Sequence, residues 1–305
     1  MEQAMRNFFQ GMAQNRTMSN WAKKNGLRYG AKRFVAGETI EQAIDAVKAL
    51  NQSGMQVTLD HLGEFVADER DARASTDYCN KTLEAINIEK VRSSLSLKMT
   101  QLGLDIDKAL CMKHMTMIMD YASERNLWVN IDMEDYSHCQ ITLDIFHELS
   151  ARYNNVQTVI QAYLYRSEDD VKDLASKGAH IRLVKGAYKE PESVAFPNKV
   201  DVDNNYKKLL DIHLPSPALT SIATHDEAMI LHAKKVINDQ HISKDRYEFQ
   251  MLYGIRTDLQ KALVKEGHPV RVYVPYGDDW YGYFMRRLAE RPANVGFVLK
   301  SIFKG

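Results

Sequence analysis

The chain has 305 residues, 45% of them hydrophobic and 26% charged, with 40 basic side chains balanced by 40 acidic ones. This is the composition of an ordinary globular protein, one large domain or two smaller ones, and zero net charge speaks against a nucleic-acid polycation or an acidic tail. No run of about 18 apolar residues is present to span a bilayer. The opening MEQAMRNFFQGMAQN lacks the apolar stretch of a secretory signal, and Cys79, Cys111 and Cys139 form no CxxC pair. These features read as a protein of a reducing cytoplasm, with peripheral contact at the inner face of the membrane left open.

The first elements are helical. SNWAKKNGLRYGAKRFVAG reads as an arm broken by glycines, and ETIEQAIDAVKALNQSG places Ile40, Ala43, Ile44, Val47 and Leu50 on one helical face before Gly54 stops it. A different rhythm then begins. Eight short apolar or β-branched runs follow: MQVTLD (55–60), SSLSLK (93–98), LWVNID (127–132), QTVIQAY (157–163), AHIRLVKGA (179–187), LTSIATH (219–225), YEFQML (247–252) and VRVYVP (270–275). Each precedes a helix-compatible stretch, which is the pattern of repeated βα units on a parallel sheet. Eight such units in about 250 residues predict a closed (βα)8 TIM barrel. A doubly wound sheet would carry a glycine-rich loop after its first strand, and TLDHLGEF holds no GxGxxG. The chain thus divides into a helical arm over residues 1–50 and a barrel over residues 51–305.

The strand ends carry the chemistry. They present Asp60, Lys98, Asp132, Gln161, Arg182 with Lys185, Thr224 with His225, Leu252 and Tyr273. In a barrel these positions share the C-terminal rim, where catalytic groups collect. After the eighth strand and a GDD turn, WYGYFMRRLAE reads as a helix starting at that rim and capped by Asp278 or Asp279. Helical spacing sets Tyr283, Arg286, Arg287 and Glu290 on one stripe. On a random surface helix that stripe would be a solvated face; over a barrel mouth the arginine pair makes a fork for carboxylate or phosphate. Met112, Met115 and Met119 read as core filler. The cluster Tyr136, His138 and Cys139 lacks a second ligand pair, so no metal centre is expected.

Several stretches together have a family character. SLSLKMT, VNIDMED, VIQAYLYR, IRLVKGAYKEP, IATHDE, YEFQMLYG and VYVPYGDDWYGYFMRRLAERPAN occur in order across about residues 50 to 300. On these stretches the chain resembles the monofunctional bacterial proline dehydrogenases and the catalytic barrel of the bifunctional proline-utilisation proteins. The resemblance implies a distorted (βα)8 barrel with an N-terminal helical arm and a C-terminal helix over the mouth. It implies non-covalent FAD and oxidation of L-proline to 1-pyrroline-5-carboxylate, the first step of proline catabolism, with electrons passed to a membrane quinone.

The residues inherit roles by the same likeness. Arg286 and Arg287 bind the substrate carboxylate; Tyr273, Tyr283, Tyr188 and Leu252 line its ring, and Lys98 and Asp132 form a polar floor. Glu64 matches a gating carboxylate that pairs with the first arginine. Met133, Gln161, Arg182, Val184, Lys185, Gly186, Ala187, Thr224 and His225 match flavin contacts, with Glu290 and Arg291 as secondary candidates. Asp132 and Arg182 are the catalytic candidates: Arg182 and Lys185 would stabilise negative charge on the reduced flavin, and the amine proton leaves through water or the Asp132–Tyr273 region. The alternative is a sibling flavoenzyme acting on hydroxyproline or another cyclic amino acid; Tyr273 should crowd C4 of a hydroxyproline. The chain is too short to hold the next enzyme as well, so transient contact with a separate pyrroline-5-carboxylate dehydrogenase is expected, and no nucleic-acid partner.

Overall fold

A computed structural model describes residues 33–63, 66, 68–281, 283 and 285. Helix α1 (Ile40–Gln52) leads into eight strands: β1 (Gln56–His61), β2 (Ser93–Leu97), β3 (Val129–Ile131), β4 (Val156–Gln161), β5 (Ile181–Val184), β6 (Thr220–Ala223), β7 (Tyr247–Leu252) and β8 (Val270–Tyr276). Between them run α2 (Glu69–Glu89), α3 (Lys108–Glu124), α4 (Tyr136–Ser150), α5 (Ser167–Ser176), α6 (Lys199–His213), α7 (Glu227–Asp239) and α8 (Thr257–Lys265). A single 3-10 turn, Thr100–Leu102, interrupts the connection from β2 to α3. Every strand pairs in parallel with its sequence neighbour, and β1 closes on β8 from Gln56 opposite Arg271 to His61 opposite Tyr276. The eight predicted runs are the eight strands. The longest, 179–187, shrinks to Ile181–Val184 because Gly186 turns the chain with φ 110.

The predicted arm lies outside the described residues up to residue 32; the helix predicted after it forms as read, capped by the Thr39 hydroxyl and followed by Gly54 at φ 83. Ala43, Ile44 and Val47 join the same buried core as the strands. A boundary at residue 50 therefore falls inside an element that covers the barrel. Asp68, Asp107, Asp135 and Asp226 each accept a backbone N–H at the start of α2, α3, α4 and α7. Each such cap contributes about 0.5–2 kcal/mol, and each lies on the rim side, where chain leaves a strand and enters a helix. Met115 and Met119 are buried in the core, as their helical spacing predicts.

Strand alternation sends Val57, Leu59, Leu95, Leu97, Val129 and Ile131 outward to the helices, where all are fully buried. The alternate set fills the lumen, and it is polar. The Thr58 and Ser94 hydroxyls share a hydrogen bond of 2.8 Å, and Asn130 donates to Ser94 at 3.0 Å. Gln157 of β4 reaches across to Ser221 of β6 at 2.9 Å, and Ser221 donates to Glu248 at 2.8 Å. Arg271 closes the ring, donating through Nε to both Glu248 oxygens at 2.9 Å and through Nη1 to the Val57 carbonyl at 2.8 Å. Barrel lumens are usually packed with branched aliphatics. Here the lower lumen is tolerable because almost every buried polar group has a partner.

Burial pushes the Glu248 carboxyl up, but Arg271 and the hydrogen bonds from Gln250 and Ser221 outweigh it and hold it below the usual glutamate range. Replacing Arg271 by Met strands that carboxylate and should cost about 3–5 kcal/mol in urea unfolding at pH 7, most of it recovered in the double variant with Glu248→Gln. Because the folded value lies below the unfolded one, the pair's stabilisation is complete above the unfolded value. The wild type's lead over the double variant should therefore shrink as pH falls below about 4.

Candidate active site

At the upper end of the lumen the polar side chains converge on one carboxylate. Asp132, just past β3, accepts at Oδ1 from Ser96 of β2 and from Nη1 of Arg182 of β5, both at 2.7 Å. Its Oδ2 accepts from the Tyr273 hydroxyl of β8 at 2.7 Å. Lys98 stands 3.7 Å from the same oxygen and 3.5 Å from Oδ2 of Asp60 on β1. The Arg182 guanidinium lies 5.2 Å from the Tyr273 ring centroid. Five strands thus send a group to one point, which only a closed barrel allows. Burial raises the Asp132 carboxyl, but Arg182, Lys98 and the Ser96 and Tyr273 hydrogen bonds together hold it below the ordinary range. Burial and the Asp132 charge push the Tyr273 phenol well up, so it stays a donor.

Above this hub opens a cavity of about 760 Å³, within the size range of cofactor and substrate sites. Its lining includes Lys98, Asp132, Tyr188, Leu252, Tyr273 and Tyr283 of the expected substrate set. It also includes Met133, Gln161, Arg182, Val184, Lys185, Gly186, Ala187, Thr224 and His225, the expected cofactor set. Residues 280, 281, 283 and 285 are helical after β8, and Tyr283 is buried at 6% exposure, so this helix begins at the mouth. Glu64, Arg286, Arg287, Glu290 and Arg291 lie outside the described residues.

Individual environments refine the expectations. Lys185 donates to Asp226 at 2.7 Å and also to Asp203, and Lys199 pairs with the same two carboxylates. Its cation is therefore balanced within the protein rather than presented bare to the cavity. His225 accepts the Leu252 N–H at Nε2 at 3.0 Å, which fixes that nitrogen as the unprotonated one. Gly186, one of the expected flavin contacts, has no room for a side chain: a Cβ there would lie 2.1 Å from the Tyr163 ring. Packing beneath the loop demands this glycine, whatever sits above it.

Sequence reading passed over Ser96, Glu134, Gln250 and the Asp203–Asp226 pair. Ser96 and Gln250 were legible in principle: Ser94, Ser96 and Lys98 alternate, as do Glu248, Gln250 and Leu252, and the period of two marks one face of a strand. Asp203 gave no signal, since it comes from α6 and meets Lys185 only in three dimensions.

Comparison with known proteins gives the family of the chain. The proline dehydrogenase family profile matches residues 43–300. The chain belongs to the proline dehydrogenase family. It is 47% identical over 300 residues to proline dehydrogenase 1 of Bacillus subtilis (strain 168), covering 98% of this chain and 99% of that one. It is 44% identical over 280 residues to the proline dehydrogenase of Deinococcus radiodurans, covering 90% of each. Among solved structures it resembles proline utilization A of Bdellovibrio bacteriovorus, inactivated by N-propargylglycine, with TM-score 0.81 and 28% identity. That match covers 86% of this chain and 32% of the other, so this chain corresponds to about a third of that protein.

Among the described residues no group of three or more His, Cys, Asp or Glu side chains is disposed to hold a metal ion. The three thiols are buried and free, and burial raises Cys79 and Cys111 to about 12 and Cys139 to about 11, so none is poised as a nucleophile. The Gly186→Ala variant should lose roughly 1–3 kcal/mol from its positive φ alone, with the Tyr163 clash adding to that; a thermal melt of variant and wild type measures it.

Proposed function

We propose that the cavity binds FAD and L-proline together and that hydride leaves proline C5 to give 1-pyrroline-5-carboxylate, the electrons passing on to a membrane quinone. Proline oxidation, the first step of proline catabolism, is the reaction of the family to which the chain belongs. The observation that carries the cofactor assignment is Arg182. Its Nε and Nη2 are buried at the cavity wall and have no partner among the described residues, while Nη1 is held by Asp132. A buried cation with unused donors is costly unless an acceptor arrives, and the electron-rich edge of a flavin supplies one. Gln161, Thr224, His225, Met133 and the Val184–Ala187 turn would hold the remainder of the group. When bound, FAD supplies the two-electron acceptor that no side chain in the cavity provides.

The protein's own groups do the rest. Arg286 and Arg287 fork the substrate carboxylate and fix the ring, and Glu64 closes over the first of them. Tyr273 and Leu252, opposite each other on β8 and β7, wall the ring. Because Tyr273 is tethered to Asp132, its ring has little freedom to yield to a 4-hydroxyl group. Holding donor carbon and acceptor at reacting distance supplies much of the acceleration. The amine must be neutral before hydride leaves. Asp132 is a weak base because its cations hold it ionised, and Tyr273 retains its own proton, so we assign the amine proton to water. Asp132 instead orients Arg182, Lys98 and Tyr273.

No helix among the described residues is long and apolar enough to cross a membrane. Our reading is a cytoplasmic protein that meets its quinone at the inner membrane face. It hands its cyclic product to a separate pyrroline-5-carboxylate dehydrogenase in transient contact. The barrel, with α1 packed on its core, forms the catalytic unit.

The purified protein should be yellow, and anaerobic L-proline should bleach its flavin absorbance, with trans-4-hydroxy-L-proline far slower. A colourless protein, or a yellow one unmoved by proline, overturns the reading. Arg287→Ala should raise KM for proline about ten- to hundred-fold, as loss of a charge-assisted bond of about 1.5–3 kcal/mol implies, while the flavin content of the purified variant stays near that of wild type.

A further inference from the structure

Lys98 sits in a loop that the barrel alone does not hold. It follows β2, and its side chain must reach between Asp60 and Asp132. The next residues form the 3-10 turn Thr100–Leu102, and every residue of that turn is buried. The backbone N–H of Lys98 is bonded to the Gln101 side chain at 3.3 Å. His114 of α3 holds the far end of this turn, its Nδ1 2.9 Å from the Leu102 carbonyl, and Glu134, two residues after Asp132, ties the near end to the rim. Its Oε1 accepts the Thr100 N–H at 3.0 Å, and its Oε2 accepts the Thr100 hydroxyl at 2.5 Å. Its backbone carbonyl accepts Nε2 of Gln161 at 2.8 Å, joining β4 to the same point. Glu134 is 8% exposed and does not line the cavity.

A buried carboxylate is an expensive anchor. Burial raises the Glu134 carboxyl above the usual range despite the Thr100 bonds and the nearby Lys98 and His138 charges. An apolar residue would pack there more cheaply, so the retained acid calls for a task that an apolar side chain lacks. The geometry supplies one: two acceptor oxygens that grip both donors of Thr100, and therefore the chain on either side of it.

We propose that Glu134 is a positioning residue for the proline site: by clamping Thr100 it holds the Lys98 ammonium in place between Asp60 and Asp132. This inference rests on the proline-oxidation reading. It states that the β2 and β3 loops are one unit, so that Asp132 keeps its low proton affinity only while the clamp is closed. Among the described residues, the charged and titratable groups facing Asp132 are Lys98, Arg182, Tyr273 and, beyond Lys98, Asp60; those facing Glu134 are Lys98, His138 and the Cys111 thiol of α3. Releasing Lys98 removes one of the two cations that keep Asp132 ionised. The Asp132 carboxyl then moves up, and activity that depends on its charge is lost at a higher pH than in wild type.

The test measures kcat/KM for L-proline between pH 5 and 9 in holoenzyme variants Glu134→Gln, Thr100→Val, Thr100→Ser, Lys98→Ala and Glu134→Gln/Lys98→Ala. Flavin content and melting temperature are recorded for each. Glu134→Gln should lower kcat/KM about ten- to hundred-fold, the effect of a displacement near 1 Å, and should shift the acid limb to higher pH. Thr100→Val should reproduce both effects if Glu134→Gln fails to fold. Thr100→Ser, which keeps both donors, should restore the wild-type profile. The double variant should be no worse than Lys98→Ala alone, because the clamp acts through Lys98. An unshifted acid limb in folded Glu134→Gln, or full additivity with Lys98→Ala, overturns the inference. A wild type that does not bleach with proline overturns the parent reading instead.

Discussion

The ionised carboxylate of Asp132 is the constraint on which the site depends. Two cations, a hydroxyl and a phenol converge on its two oxygens from three other strands. A buried arginine or lysine is tolerated only beside an opposite charge; Asp132 is that charge for Arg182 and shares Lys98 with Asp60. Its low proton affinity follows from the same contacts, so geometry and electrostatics reinforce each other. A base would need the reverse environment, which is why the arrangement reads as an orienting device rather than a proton acceptor.

The barrel carries two such charge pairs at two depths. Below, Glu248 and Arg271 with Ser221, Gln157, Ser94 and Thr58 form a ring whose donors and acceptors are largely matched internally. Above, Asp132 gathers Lys98, Arg182 and Tyr273, but Arg182 keeps donors to spare. The difference between the two layers is satisfaction. The lower ring is closed and serves as a rigid floor, and the upper cluster is incomplete and faces a cavity. An incomplete buried network is what a protein destined to bind a polar ligand must carry, since the ligand supplies the last partners.

Loops at the rim are held by side chains that do no chemistry themselves. Four aspartate caps start helices where strands end, Glu134 clamps the β2 turn, and Asp203 with Asp226 balances the Lys185 and Lys199 cations. Tyr163 fills the space beneath Gly186. The cavity-lining charged groups sit on strand ends, the stiffest part of the fold, and the supporting groups stiffen the turns just beyond them. Precision at the site thus comes from both sides of each strand terminus.

The sequence by itself determined the architecture: eight β-branched runs at repeating intervals, without a phosphate-binding glycine loop, leave little besides a closed parallel barrel. Strand ends marked Lys98, Asp132, Gln161, Arg182, Lys185, Thr224, His225, Leu252 and Tyr273 of the cavity lining, because in a barrel every strand end points to one rim; Met133, Val184, Gly186, Ala187 and Tyr188 were legible only through the family resemblance. The sequence did not reveal that the lumen is polar in layers, although period-two alternation in SSLSLK, YEFQML and VRVYVP carried the hint. Only the tertiary structure decided which charges neutralise which. Lys185 was legible as a rim cation, but its aspartates, 18 and 41 residues away, come from α6 and from the cap of α7. Glu134 was an unremarked acid until Thr100, 34 residues earlier, closed on it. Periodicity records which way a side chain points; the partner it finds there is set by packing between segments distant in the chain, and buried charge makes that partner matter most.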